Sequence, residues 1–263
     1  MINQAAGPIA RSASDVSWLT SFKALLRADI AVQLRNTRSL YLTFALPIIW
    51  VIVLGRGGPR ANVLGDPAFR VGLALTLGMV SIGVLAYSTA VARDRDQGVF
   101  QRLRVTPAPA WTIMASRWTV HLGAVLAMAV VVLIIAAALQ EVTLSTQQYV
   151  LTLVVVCVGS AVFLSIGQAI VGLIPSGDTL NAAGRFLYIP LIGLSLFGHS
   201  SLLGTPLELA SRWSPGGCVE TLLAAAMGAG GWTGETWDAL LAGVAYTVVF
   251  AGVGIRWFRW TGR

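Results

Sequence analysis

Two histidines, two cysteines and one lysine are the scarcest reactive side chains in this 263-residue sequence, and their spacing limits the chemistry open to it. Ser195 and His199 stand four residues apart and could share one helix face, as the nucleophile and base of a hydrolase would. The surrounding stretch from Gly193 to Phe197 is no nucleophile elbow, and its apolar run holds no acid to orient an imidazole. His121 and His199 are far apart and the cysteines are scattered, so no metal-ligand cluster is expected. Cys157 lies in an apolar block and Cys218 in a polar-flanked connection, which points to two free thiols and no framework disulfide. A phosphate-binding GxxxxGK[ST] loop is absent, and Lys23, the one lysine, could not complete one. No catalytic residue and no cofactor are therefore expected in this chain. If it pumps, another chain binds the ATP.

The elements that position these residues follow from composition. Hydrophobic residues make up 56% of the chain and charged residues 11%, with a mean hydropathy of +0.76. Such a chain belongs in a bilayer. Its net charge of +7 is spread over many connections, which suits a membrane surface better than nucleic acid. Six runs are free of Asp, Glu, Lys and Arg: 40–55, 71–92, 118–139, 149–174, 186–203 and 239–255. At about 1.5 Å per residue these approach the roughly 30 Å of a hydrocarbon core. The expected fold is an all-α membrane protein, with residues 1–38 as an N-terminal segment and 39–263 as a six-helix transmembrane domain.

Of the 18 Lys and Arg, all but Arg56, Arg60, Arg70 and Arg212 fall in segments on the N-terminal side, so both termini are expected in the cytoplasm of a plasma-membrane protein. Before the first run, Trp18, Leu19, Phe22, Leu25, Leu26, Ile30 and Leu34 recur at three- and four-residue steps. They predict an amphipathic helix along the inner surface. Ser214 and Pro215 form a cap and first turn for a short apolar helix from about 217 to 227 on the outer side. It either dips part-way into the membrane or caps the bundle.

Ion coupling needs ionisable groups near mid-membrane, and the six runs hold none beyond His121 and His199 near their ends. Gln168, Ser160 and Ser165 in the fourth run and Ser81, Tyr87 and Ser88 in the second are the polar groups that could line a transport path. Hydrogen bonding between helices is the plainer role for them.

The segment from Ala92 to Met114 carries the most information. Val99, Phe100 and Leu103 would form an apolar patch on a short surface helix, which Thr106 and Pro107 end. The mixed charges of Arg93, Asp94, Arg95 and Asp96 suit a protein surface. Here the sequence resembles permeases of the type 2 ABC transporter family, whose loop after the second span reads approximately R-[ED]-x-G-x-x-x-x-L-R-V-T-P. Arg95, Asp96, Gly98, Leu103, Arg104, Val105, Thr106 and Pro107 fill those places, with Asp96 in place of the usual Glu. The stretches Arg35 to Leu40 and Trp213 to Leu222 are similar to family segments before the first and last spans.

The resemblance implies a half-transporter. Two permease subunits, identical or homologous, would face each other, and two cytoplasmic ATPase subunits holding ATP and Mg would bind the loop helix as a coupling helix. The coupling set would be Arg95, Asp96, Gly98, Val99, Phe100, Leu103, Arg104, Thr106 and Pro107. The form of the loop leans towards efflux of a drug-like, antibiotic or lipid-like cargo, with export of a lipid-linked polysaccharide or a non-transporting membrane scaffold as alternatives.

Overall fold

The computed structural model describes residues 18–35, 37–55, 66–104, 110–139, 142–197, 205–229 and 231–258, and every regular element in them is helical. Four helical stretches are long and apolar enough to cross a membrane: Pro67–Asp96, Trp111–Leu139, Thr146–Leu173 and Gly234–Arg256. Six were expected. The helix α2 (Thr37–Gly55) is interrupted in composition by Pro47, and its apolar stretch among the described residues, Thr43–Val53, is short of the roughly 20 residues a span needs. Two charges, Asp178 and Arg185, lie inside α8 (Gly177–Phe197), so the expected start of that run at Phe186 falls in mid-helix. Both helices exist, but length and composition assign only the other four as spans.

The amphipathic helix forms as α1 (Trp18–Arg35) and none of its residues is buried. It packs against α6 (Ala110–Leu139), with the rings of Trp18 and Trp111 5.6 Å apart. The first span is composite: α3 (Pro67–Val80), a π-helical turn at Ser81–Ala86, then α4 (Tyr87–Asp96). A π turn widens the helix and often marks a functional position. Gly98, at a φ of +68°, ends this helix in the left-handed region and lets α5 (Val99–Arg104) leave in a new direction.

The centre of the bundle is α7 (Thr146–Leu173), which packs on α3, α4, α6, α10 (Pro215–Ala226) and α11 (Gly234–Arg256). A box between Ser145 and Gln148 caps its start. Between apolar helices in lipid, close packing supplies the attraction that water supplies in soluble cores. Gly83 accordingly sits against the backbone of Phe163, and Gly172 against Gly254, where any side chain would collide with main-chain atoms. On the far side of α11, Leu241, Val248 and Ile255 recur every seven residues and are exposed, the face such a helix would turn to lipid.

The short helix after α8 and α9 (Thr205–Arg212) forms where the sequence placed it. The Ser214 hydroxyl accepts from the Gly217 N–H and Pro215 opens the first turn. Most of α10 is buried among α3, α7, α8 and α11. Cys218, expected in a polar-flanked connection, is buried with it.

Candidate functional site

The ends of four helices, α4, α6, α7 and α11, converge around α5. Arg95, in the last turn of α4, is 3% exposed, and its guanidinium donates to the carbonyls of Val171 at 2.7 Å, Ile174 at 2.8 Å and Pro175 at 3.3 Å. Val171 supplies a C-terminal carbonyl of α7, which lacks a partner within its own helix and attracts a cation, and Ile174 and Pro175 supply the carbonyls just past that end. Arg117, near the start of α6, pairs with Asp94 at 2.5 Å while its guanidinium lies 4.9 Å from the centre of the Phe100 ring. Phe100 is fully buried and meets Phe258 edge to face at 5.4 Å, and Arg95 lies 5.5 Å from that same ring. Charge and aromatic surface thus tie α4, α5, α6, α7 and the end of α11 together.

The amphipathic helix joins this cluster. Ser116 donates to the Asp29 carboxylate at 2.5 Å, one position before Arg117. Burial pushes the Asp29 carboxyl up from its ordinary value, opposed by the Ser116 hydrogen bond and the Arg117 charge.

The expected coupling residues divide. Arg95 and Phe100 face into the chain, so neither is free to enter a partner's cleft. Asp96, Gln97, Gln101 and Arg102 are exposed, and Gly98 and Val99 are half-buried. Leu103 and Arg104 continue α5, but their side chains, with Thr106 and Pro107, lie outside the described residues. The sequence pattern identified an apolar face on α5 without showing that Phe258 and Arg117 cover it.

The six candidate path residues are all buried, and the hydroxyls of five of them have hydrogen-bond partners. Ser81 donates to Leu77 and meets the Tyr188 hydroxyl, while Ser88, Ser160 and Ser165 donate to carbonyls of their own preceding turns. Tyr87 donates to the side-chain oxygen of Gln168. Only the Ser81–Tyr188 and Tyr87–Gln168 contacts join different helices; the other three hydroxyls bond within their own helix. Gln168 differs: its Nε2 has no partner among the described residues.

One buried acid escaped the sequence reading. Glu220 of α10 is fully buried, accepts from Thr76 at 2.9 Å, and has an Oε1 without a hydrogen-bond partner among the described residues. It fits because position 72 is glycine: a Cβ there would lie 2.5 Å from that oxygen. The six apolar runs excluded Glu220 because α10 is too short to cross, yet the fold sets it among the spans. As for the hydrolase pair, Ser195 donates to Leu191 in its own helix, and His199 lies outside the described residues.

The family model for the ABC-2 type transporter membrane domain matches residues 20–202, covering α1 through α8 and the whole converging cluster except Phe258. The chain belongs to the ABC-2 type transporter family. This makes it the permease component of an ABC transporter and a membrane protein, with no ATPase domain in the matched stretch. None of the curated proteins matches the chain. Arg95 and Phe100 of the cluster in this ABC-2 permease come from the connection after the first of the four long apolar stretches.

Proposed function

We propose that this ABC-2 permease forms the translocation path of an ATP-driven exporter and receives its power stroke through the exposed side of α5. The observation that carries this reading is the cluster of Arg95, Phe100, Arg117 and Phe258. It joins a surface of exposed polar groups, Asp96, Gln97, Gln101 and Arg102, to the ends of several helices. A push on that surface passes to the helix ends through ring contacts, the ion pair and hydrogen bonds.

In this reading α5 and both termini lie in the cytoplasm, two ATPase subunits carrying ATP and Mg dock there, and a second permease completes the path in the plasma membrane. Cargo is hydrophobic or amphipathic, in keeping with a bundle whose buried hydroxyls mostly donate to carbonyls of their own helices. Arg95 and Phe100 act as the internal tie, and the exposed residues meet the ATPase.

Co-purification in mild detergent tests the assignment. The expected complex contains an ATP-hydrolysing subunit, and the permease alone neither binds nor hydrolyses ATP. Saturable ATP binding by the isolated chain, or a fully assembled chain with no ATPase attached, would contradict it.

A further inference from the structure

Ile174, Pro175 and Ser176 turn the chain from α7 into α8, and the last two residues of α4 hold that turn from both sides. Arg95 holds the α7 side, through the carbonyls of Val171, Ile174 and Pro175. Asp96 holds the α8 side. A Cβ placed on Gly177, the first residue of α8, would lie 2.5 Å from Asp96 Oδ2, 3.4 Å from its Cγ and 3.6 Å from its Oδ1. All three nearest atoms belong to the Asp96 carboxyl group, so the carboxylate occupies the room that glycine leaves.

The charges suit these places. The C-terminal end of a helix presents unpaired carbonyls and favours a cation, whereas the N-terminal end presents unpaired N–H groups and favours an anion, and both effects fade within a turn. Arg95 and Asp96 are adjacent, so opposite charges reach opposite poles of two consecutive helices.

The contact continues beyond the turn. Thr89 of α4 donates to Asn181 of α8 at 3.0 Å. A Cβ on Gly184 would lie 3.4 Å from Leu85 and 3.6 Å from the Ser88 hydroxyl, and Ser81 meets the Tyr188 hydroxyl at 3.0 Å. Numbers rise along α8 as they fall along the first span, so the two run antiparallel, and Asp96 with Gly177 closes their seam at the α5 end. At its other end α8 meets α10, where Gly216 leaves room for the Ser195 hydroxyl.

We propose that Asp96 is a positioning residue of the transporter: with Arg95 it clasps the α7–α8 turn, so that α8 follows α5 when the ATPase drives it. This rests on the docking of an ATPase at α5 proposed above. Gln97, Gln101 and Arg102 serve the contact with the ATPase, and the carboxylate of Asp96 passes the movement to α8.

The test uses the permease purified with its ATPase in nanodiscs. A spin label is attached through Thr179→Cys, in the exposed first turn of α8, with Cys157 and Cys218 replaced by alanine. Trapping with ATP and vanadate is expected to change the spectrum of the label in this starting protein. Gly177→Ala pushes the carboxylate off α8 and opens that helix with a stronger helix former. Its complex should assemble and hydrolyse ATP, yet lose most of the spectral change. Asp96→Asn, which keeps the shape and removes the charge, should lose the change too, and joining the two substitutions should add nothing further. Gly193→Ala, also on α8 but with open space where its Cβ would go, should keep the full change. The proposal would be overturned by no spectral change in the starting protein, a full change or failed assembly in Gly177→Ala, losses that add, or a loss that Gly193→Ala shares. Absence of an ATPase from the purified starting protein would instead overturn the function proposed above, and this inference with it.

Discussion

At the α5 end of the bundle, the buried guanidiniums of Arg95 and Arg117 meet three carbonyls and a carboxylate, whereas in α10 the fully buried Glu220 has one threonine hydroxyl beside it. The difference teaches what each region is built for. Buried charge that is paired across helices fixes their relative positions, because removing either partner strands the other. A lone buried carboxylate fixes little and is costly to hold ionised. The α5 end is therefore the tied part of the fold, and Glu220 has no such tie across helices beyond Thr76 among the described residues.

Breaking the tie should give the largest effect. Arg117→Ala leaves Asp94 without its cation and strips the guanidinium from the Phe100 ring. A loss of about 3 kcal/mol is expected, the low end for a buried pair, because Asp94 retains some contact with water. Thermal unfolding in detergent would register it as a large drop in midpoint. An unchanged midpoint would show that the cluster does not hold the helix ends.

Glu220→Gln sharpens the other half of the comparison. The amide keeps an acceptor for Thr76, and the buried charge disappears, so stability should stay within about 1 kcal/mol of the starting protein or rise. A loss as large as that of Arg117→Ala would mean that Glu220 is paired in the assembled transporter.

The smallest effect concerns pH at the contact between α1 and α6. Burial raises the Asp29 pKa in the folded chain above its unfolded value. The folded state then binds more protons than the unfolded state between those two values, so this group favours folding most at low pH. Its contribution is lost as pH rises through the raised folded pKa. Asp29→Asn should keep the Ser116 contact and flatten that part of the pH profile of unfolding. A profile identical in shape for both proteins would remove Asp29 as its source.

Much of this was legible in the sequence, for identifiable reasons. The amphipathic periodicity of Trp18 to Leu34 predicts α1, and Ser214 with Pro215 predicts the start of α10, because both signals are local. The motif from Arg95 to Pro107 led to the family that the match over residues 20–202 shows. Long-range coverage was not legible. The patch of Val99 and Phe100 reads equally well as a docking surface or as core, and Phe258, from the other end of the chain, decides for Phe100. Arg95 reads as a loop cation, yet the carbonyls that end α7 draw it inside. Glu220 was missed because a search for runs of spanning length passes over a twelve-residue helix.

In the proposed function the exposed side of α5 meets an ATPase while Phe100 and Arg95 hold α5 to the spans. The most direct measurement places a photo-crosslinking amino acid at position 101, which is exposed, and at position 232, exposed at the other end of the bundle, in cells that express the whole transporter. Irradiation should yield an adduct with an ATP-hydrolysing subunit from position 101 and none from position 232. A protein that reaches the membrane and exports its cargo, yet gives no ATPase adduct from position 101 or from neighbouring positions 97 and 102, would contradict the account.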